Sequence, residues 1–293
     1  MLCGYYVWSR WAEFAFLATV SLSHILAAGC PTLLSFVVNA YQLGLFLGKF
    51  RVRAGRVELM ALTMAMILGN LVLPLRGGSG GMAVYLKRVH KLDFHLFAAI
   101  YGGSAILVAL INCGLALVGL VALWLWYGFS HAPLSVLVSG TFLCCLVLCV
   151  YPLPVGRKGT GLAGFVAGGV RSWHELTRDK RLLAHLAASH LGLAFLLAGS
   201  FFLIYRALGH PLSWGAVLVT SSLGSIAALV PITPGSLGVF DAVVIQIPQL
   251  FGLDPPRALT AALVFRAICM VWASVLGLPG LWWLVRRGGR ART

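Results

Sequence analysis

Residues 71–81 read Leu-Val-Leu-Pro-Leu-Arg-Gly-Gly-Ser-Gly-Gly and close an apolar run that begins at Val57. Pro74 lacks a backbone donor, and Gly77, Gly78, Gly80 and Gly81 are poor helix formers. The sequence predicts a helix broken from Pro74 to Gly81. Residues 231–238, Pro-Ile-Thr-Pro-Gly-Ser-Leu-Gly, close a second apolar run, Pro211–Val230, in the same way. Both breaks lie within hydrophobic surroundings. Non-helical backbone is tolerated at membrane depth only where protein buries it or water lines it. Each break therefore predicts a polar interior.

The rest of the chain supplies the membrane. Of 293 residues, 60% are hydrophobic and 10% charged, with a mean hydropathy of +0.95. Uncharged runs well beyond about 18 residues read as spanning helices. A transmembrane barrel would alternate over segments of roughly ten residues, and this chain does not. The expected fold class is an all-α polytopic membrane protein forming one membrane domain over residues 1–293. Phe14–Gly48 reads as one long span bent at Pro31, with two short spans as the alternative. Further apolar runs cover 57–75, 94–127 (interrupted by Gly102-Gly103), 133–151, 182–205, 211–230 and 259–285. No cleavable signal peptide is recognised, so the first run is expected to be retained.

Charge sets the topology. Lys and Arg number 22 against 7 acids, a net charge of +15. Such a balance suits nucleic acid, but here the cations sit between and after the apolar runs, as positive-inside loops do. Residues 49–56, 157–181 and 286–293 hold four, six and four of them. All three segments are expected on the cytoplasmic side. The segment 57–91 then returns to the side it left, and so does 211–257 from the opposite side. Both read as re-entrant hairpins. The expected plan is five to six full spans plus two broken hairpins in an inverted repeat, as in many transporters. Its parts are a first repeat (11–127), a linking span (132–156), a basic loop (157–181), a second repeat (182–285) and a basic tail.

Few residues can carry chemistry. Arg76 lies in the first break, Asp241 in the short apolar piece after the second, and Arg266 in the last run; a charge at membrane depth costs about 2.5–3.5 kcal/mol and faces a cavity or a partner. Arg76 beside the free N–H groups of a helix start suits a phosphate. Asp241 and Arg266 read equally as functional groups or as a structural pair. Asn39 and Asn70 suit interhelical hydrogen bonds. Ser221, Ser222 and Ser225 line a path or permit close packing. Lys87, Arg88 and Lys91 read more simply as interfacial anchors than as a lipid-recruiting patch. Seven cysteines form no CxxC pair and eight histidines no HExxH. GxSxG and nucleotide-binding motifs are absent too. No enzyme activity, metal or cofactor is expected, and no ATP-driven pump unless a partner supplies the ATPase.

Two segments carry a family resemblance. "GNLVLPLRGGSGGMAVYLKR" (69–88) resembles the N-x-x-x-P-x-R-x-G-E…Y-L-x-x-R segment of the lysylphosphatidylglycerol synthase transmembrane family. "PITPGSLGVFDAVVI" (231–245) resembles its P-x-P-G-G-x-G-x-x-E segment, and "GLDPPRALTAALVFRAI" (252–268) the continuation to its arginine. The likeness runs from about Leu26 to Leu284. Ser79 stands where the family has an acid, Tyr101–Ser104 where it often carries charge, and Asp241 where it usually has Glu. The resemblance implies a flippase-like membrane domain without the soluble synthase domain of the best-known members. The expected location is the bacterial inner membrane, with the basic tail placing the C-terminus on the cytoplasmic side. The substrate-binding residues expected are Asn70, Arg76, Gly77, Gly78, Pro234, Gly235, Ser236, Gly238, Asp241 and Arg266. Expected partners are membrane lipids, either an anionic phospholipid or a polyprenyl phosphate. A membrane glycosyltransferase or lipid synthase and a second copy of the chain are further partner readings. Nucleic acid is not among them. Rival functions are a non-catalytic accessory subunit and a small-solute transporter.

Overall fold

The computed structural model describes residues 20–150, 178–230, 236 and 238–290. Every regular element among them is helical. They are α1 (Leu22–Lys49), α2 (Arg56–Val72), a 3-10 turn (Pro74–Arg76), α3 (Gly77–His90), α4 (Phe94–Tyr127) and α5 (Ala132–Val150). Beyond residues 151–177, which lie outside the described residues, come α6 (Lys180–Ala207), α7 (Trp214–Ala227), α8 (Val239–Gln249) and α9 (Pro255–Arg290). Helices α1, α4, α6 and α9 are long and apolar enough to cross a membrane. The chain is an all-α polytopic membrane protein. Short helices α2–α3 and α7–α8 make two hairpins. Most of the expected basic loop 157–181, the end of the linking span, the first residues of the first repeat and residues 231–235 lie outside the described residues.

Within the described residues, α1 passes through Pro31 as one helix, as the single-span reading expects. Two local expectations change. Helix α4 passes through Gly102-Gly103 without interruption. The first break is shorter than Pro74–Gly81, because all four glycines belong to the start of α3. The reason is close packing. A Cβ on Gly78 would lie 2.1 Å from the Met66 carbonyl oxygen, and one on Gly69 would lie 2.6 Å from Gly78 Cα. Backbone-to-backbone contact between α2 and α3 holds helical a segment that glycine propensity alone would leave open.

Helices α1 and α6 run antiparallel along their whole length. The Ser21 N–H donates to the Ala207 carbonyl at 3.2 Å. The Thr32 and Ser200 hydroxyls are 3.0 Å apart, and Gln42 donates to Ser189 at 3.0 Å. At the far end Lys49 meets Asp179 at 2.9 Å. Asp179 also caps α6 by accepting from the Leu182 N–H. The Lys49 hydrogen bond, and then the backbone N–H, hold the Asp179 carboxyl below the usual aspartate range.

Each hairpin leans on the last long helix of the other half. Helix α2 packs along α9, and α7 packs along α4. Glycines allow both approaches. A Cβ on Gly277 would lie 3.0 Å from the Met64 carbonyl oxygen, and one on Gly280 would lie 3.1 Å from Ala61 Cα. Gly119 and Gly215 meet in the same manner, a Cβ on Gly119 falling 2.8 Å from the Gly215 carbonyl oxygen. Two apolar cores result. One gathers Leu47, Leu62, Leu86 and Leu186 around the first hairpin. The other gathers Phe201, Tyr205, Val217 and Val244 around the second.

Candidate functional site

The two hairpins meet at their breaks. Leu75 and Arg76 have φ of 53° and 54°, and Ser236 has φ of 53°. A non-glycine residue in this left-handed region costs roughly 1–2 kcal/mol, so the junction holds strain. Arg76 Nη2 donates to the Ala228 carbonyl oxygen at 2.7 Å. The Ser236 hydroxyl donates to the same oxygen at 3.1 Å. Ala228 closes α7. A guanidinium there satisfies a helix-end carbonyl and opposes the negative end of the helix dipole. The first hairpin thus caps a helix of the second.

Beside this junction lies a cavity of about 280 Å³. Its polar lining includes Asn39, Gln42, Thr63, Asn70, Arg76, Tyr101, Ser104 and Ser236. The Thr63 hydroxyl is buried with no hydrogen-bond partner. No carboxylate pairs with Arg76 among the described residues. One of its five donors holds Ala228, which leaves positive charge facing a polar space. That arrangement can hold an anion.

The start of α3 is capped from the neighbouring helix. Arg76, in the N-cap position, makes no side-chain cap. Instead Asn70 Oδ1 accepts from the Ser79 N–H at 3.0 Å, and Asn70 Nδ2 donates to the Ser79 hydroxyl at 3.0 Å. That hydroxyl donates to Tyr101 Oη at 3.1 Å, and Tyr101 in turn contacts the Met66 sulfur. Asn70 and Arg76 therefore line the cavity. Gly77 and Gly78 pack on α2: a Cβ on Gly77 would meet Leu73 at 2.7 Å.

The start of α8 repeats the plan with charges. Gly238 is its N-cap, with φ of 93°. The Gly238 N–H donates to Asp241 Oδ2 at 3.1 Å. Arg266 on α9 clasps Asp241 in a fork, Nε to Oδ1 at 2.6 Å and Nη2 to Oδ2 at 2.8 Å. Phe240 lies under the guanidinium, its ring centre 5.6 Å away. Ser79 and Asp241 are each third in their short helix, and each bonds a residue of the following long helix, Tyr101 or Arg266. The arrangement at Ser79 is neutral and the one at Asp241 ionic. Asp241 and Arg266 do not line the described cavity wall, where Arg76, Asn70 and Ser236 do. Pro234 and Gly235 lie outside the described residues.

One buried acid escaped the sequence reading. Glu58 opens α2 and is 1% exposed. Tyr85 donates to its Oε1 at 2.8 Å. His90 Nε2 lies 2.9 Å from the same oxygen, and Arg287 Nη2 lies 3.4 Å from Oε2. Beside Arg56, Glu58 looks like part of a charged loop boundary, and no spacing rule links 58 with 85, 90 and 287. No group of three His, Cys, Asp or Glu side chains able to hold a metal occurs among the described residues. Ser221 and Ser225 bond carbonyls of their own helix, and the Ser222 hydroxyl is buried without a partner. None of the three lines the cavity beside the junction.

Comparison with individual curated proteins finds no match. The family model described as the lysylphosphatidylglycerol synthase TM region matches residues 7–277. That match takes in both hairpins, the cavity between them and the Asp241–Arg266 clasp. The chain belongs to the lysylphosphatidylglycerol synthase transmembrane family.

Proposed function

We propose that the protein is a flippase-like lipid translocase that moves a phosphate-bearing lipid between leaflets. The observation that carries this reading is the meeting of two hairpin breaks at a polar cavity holding Arg76, which has no carboxylate partner among the described residues. Arg76 binds the phosphate, while Asn70 and Ser236 hold the flanking backbone. The cavity takes a headgroup, and the chains stay in lipid. Asp241 and Arg266 fix α8 to α9 rather than touching the ligand in this state.

The halves are read as an inverted repeat. Support comes from packing: the first long helix of each half pairs antiparallel with the other, and each hairpin leans on the other half's last helix. The Lys/Arg bias supports a cytoplasmic C-terminus in a bacterial inner membrane. Catalysis is not part of the reading. The lipid is an anionic phospholipid or a polyprenyl phosphate.

The test is leaflet exchange of labelled lipids in proteoliposomes. No exchange of any phospholipid or polyprenyl phosphate by folded protein sinks the proposal. A second reading, small-anion transport, gains from the cavity's modest volume of about 280 Å³. Uptake of inorganic phosphate without lipid exchange would favour it.

A further inference from the structure

A second concavity lies outside the polar cavity. It is a groove of about 1130 Å³ between α2, α3 and α9. That exceeds the roughly 300–1,000 Å³ of small-molecule pockets. Leu68, Val72, Val84, Leu281 and Val285 make its walls apolar. One end carries Arg88 and Lys91, both exposed. Neither has a carboxylate within ion-pair distance among the described residues, and no acid lines the groove. Lys91 is fixed by a left-handed backbone, φ 59°, that closes α3. The opposite end reaches Leu73 and Gly77 at the break. Met66 and Met82 belong to both the groove and the polar cavity. The groove is thus apolar along its length and cationic at one end, and it shares two flexible side chains with the lining of the polar cavity.

We propose that this groove binds one anionic lipid, its chains along α2, α3 and α9 and its phosphate on Arg88 and Lys91, as the entry station for the polar cavity. Charge complementarity selects this occupant: an apolar ligand leaves both cations unmet, and a soluble anion leaves the apolar walls wet. The inference rests on the translocase reading and names its lipid as anionic.

Two neighbouring glycines make a matched test. Gly81 lines the groove, Gly80 does not, and a Cβ on either meets nothing within 4 Å. Both substitutions raise helix propensity. The full chain is placed in phosphatidylcholine nanodiscs and titrated with fluorescent phosphatidylglycerol. Gly81→Phe should weaken binding about tenfold or more, and Gly80→Phe should leave it within about twofold. Replacing Arg88 and Lys91 together by Gln should cut the preference for phosphatidylglycerol over labelled phosphatidylcholine by about thirtyfold. Equal binding by the two phenylalanine variants means ordinary boundary lipid and overturns the proposal. Leaflet exchange by the same proteins separates the two readings. Exchange at the wild-type rate by Gly81→Phe removes the groove and keeps the translocase. Groove binding with no exchange by the wild type removes the translocase and the entry role, and keeps only the lipid site.

Discussion

Arg76 and Ser236, 160 residues apart in sequence, end on one atom, the carbonyl oxygen of Ala228. The two breaks are therefore one mechanical unit. The arginine bond is charge-assisted and worth about 1.5–3 kcal/mol, the serine bond about 1 kcal/mol. Arg76→Ala should lower thermal stability in detergent clearly more than Ser236→Ala, and should stop lipid exchange. Equal losses from the two variants would show that the shared carbonyl does not govern the junction.

The clasp between Asp241 and Arg266 predicts strong coupling. The two side chains are 21% and 15% exposed, so breaking the pair approaches the buried limit. Asp241→Ala should cost about 3 kcal/mol. Asp241→Asn with Arg266→Gln should cost less than the two single changes added. A double-mutant cycle on unfolding free energies measures this, and additive costs would refute it.

Glycines 78 and 80 should part company. Ala at 78 drives a methyl into the Met66 carbonyl and the Asn70 nitrogen, at 2.1 and 2.6 Å. Both are backbone atoms that cannot turn aside. Gly78→Ala should cost about 3 kcal/mol or more, or abolish folding. Gly80→Ala, in open space on the same helix, should be neutral or stabilise by up to about 1 kcal/mol. Thermal unfolding of the two variants decides it.

Glu58 is the common acceptor of Tyr85 and His90 and the partner of Arg287. Glu58→Ala should destabilise by about 3–5 kcal/mol. Tyr85→Phe, which removes one bond, should cost about 1–3 kcal/mol. If the tyrosine change costs more, the carboxylate is not the centre of the cluster.

The Asp179 carboxyl is held low by Lys49 and the Leu182 N–H. A lowered folded pKa means that the stabilisation is full above the ordinary aspartate pKa of 3.8 and fades as pH falls through the lowered one. Asp179→Asn keeps the helix cap and removes the charge. The variant should be less stable than the wild type at neutral pH. The difference should close in strongly acidic solution. A gap independent of pH would contradict the assignment.

Run lengths and the placement of Lys and Arg made the fold class legible, because lipid forces long apolar helices and loops collect cations. The positions of both breaks followed from Pro74 and from the glycines and prolines near 231–238. The length of the first break did not. Helix propensity describes an isolated helix, and the contact between Gly69 and Gly78 overrides it. Asp241 with Arg266 was readable as a pair because both are charges in apolar runs. The partner of Arg76 was not, since a backbone carbonyl has no letter of its own. Glu58 was hidden by its neighbour Arg56 and by partners scattered to residue 287.

The exchange of packing partners also sets an order of assembly. Helix α2 rests on α9, yet Val72 precedes Pro255 by roughly 180 residues. At about 5–20 residues per second of synthesis, on the order of 10–40 s separate the two. During that interval the first hairpin has no lasting neighbour for its α9 face. Until α9 is made, Glu58 lacks Arg287. The ribosome thus delivers the last strut of the first hairpin last.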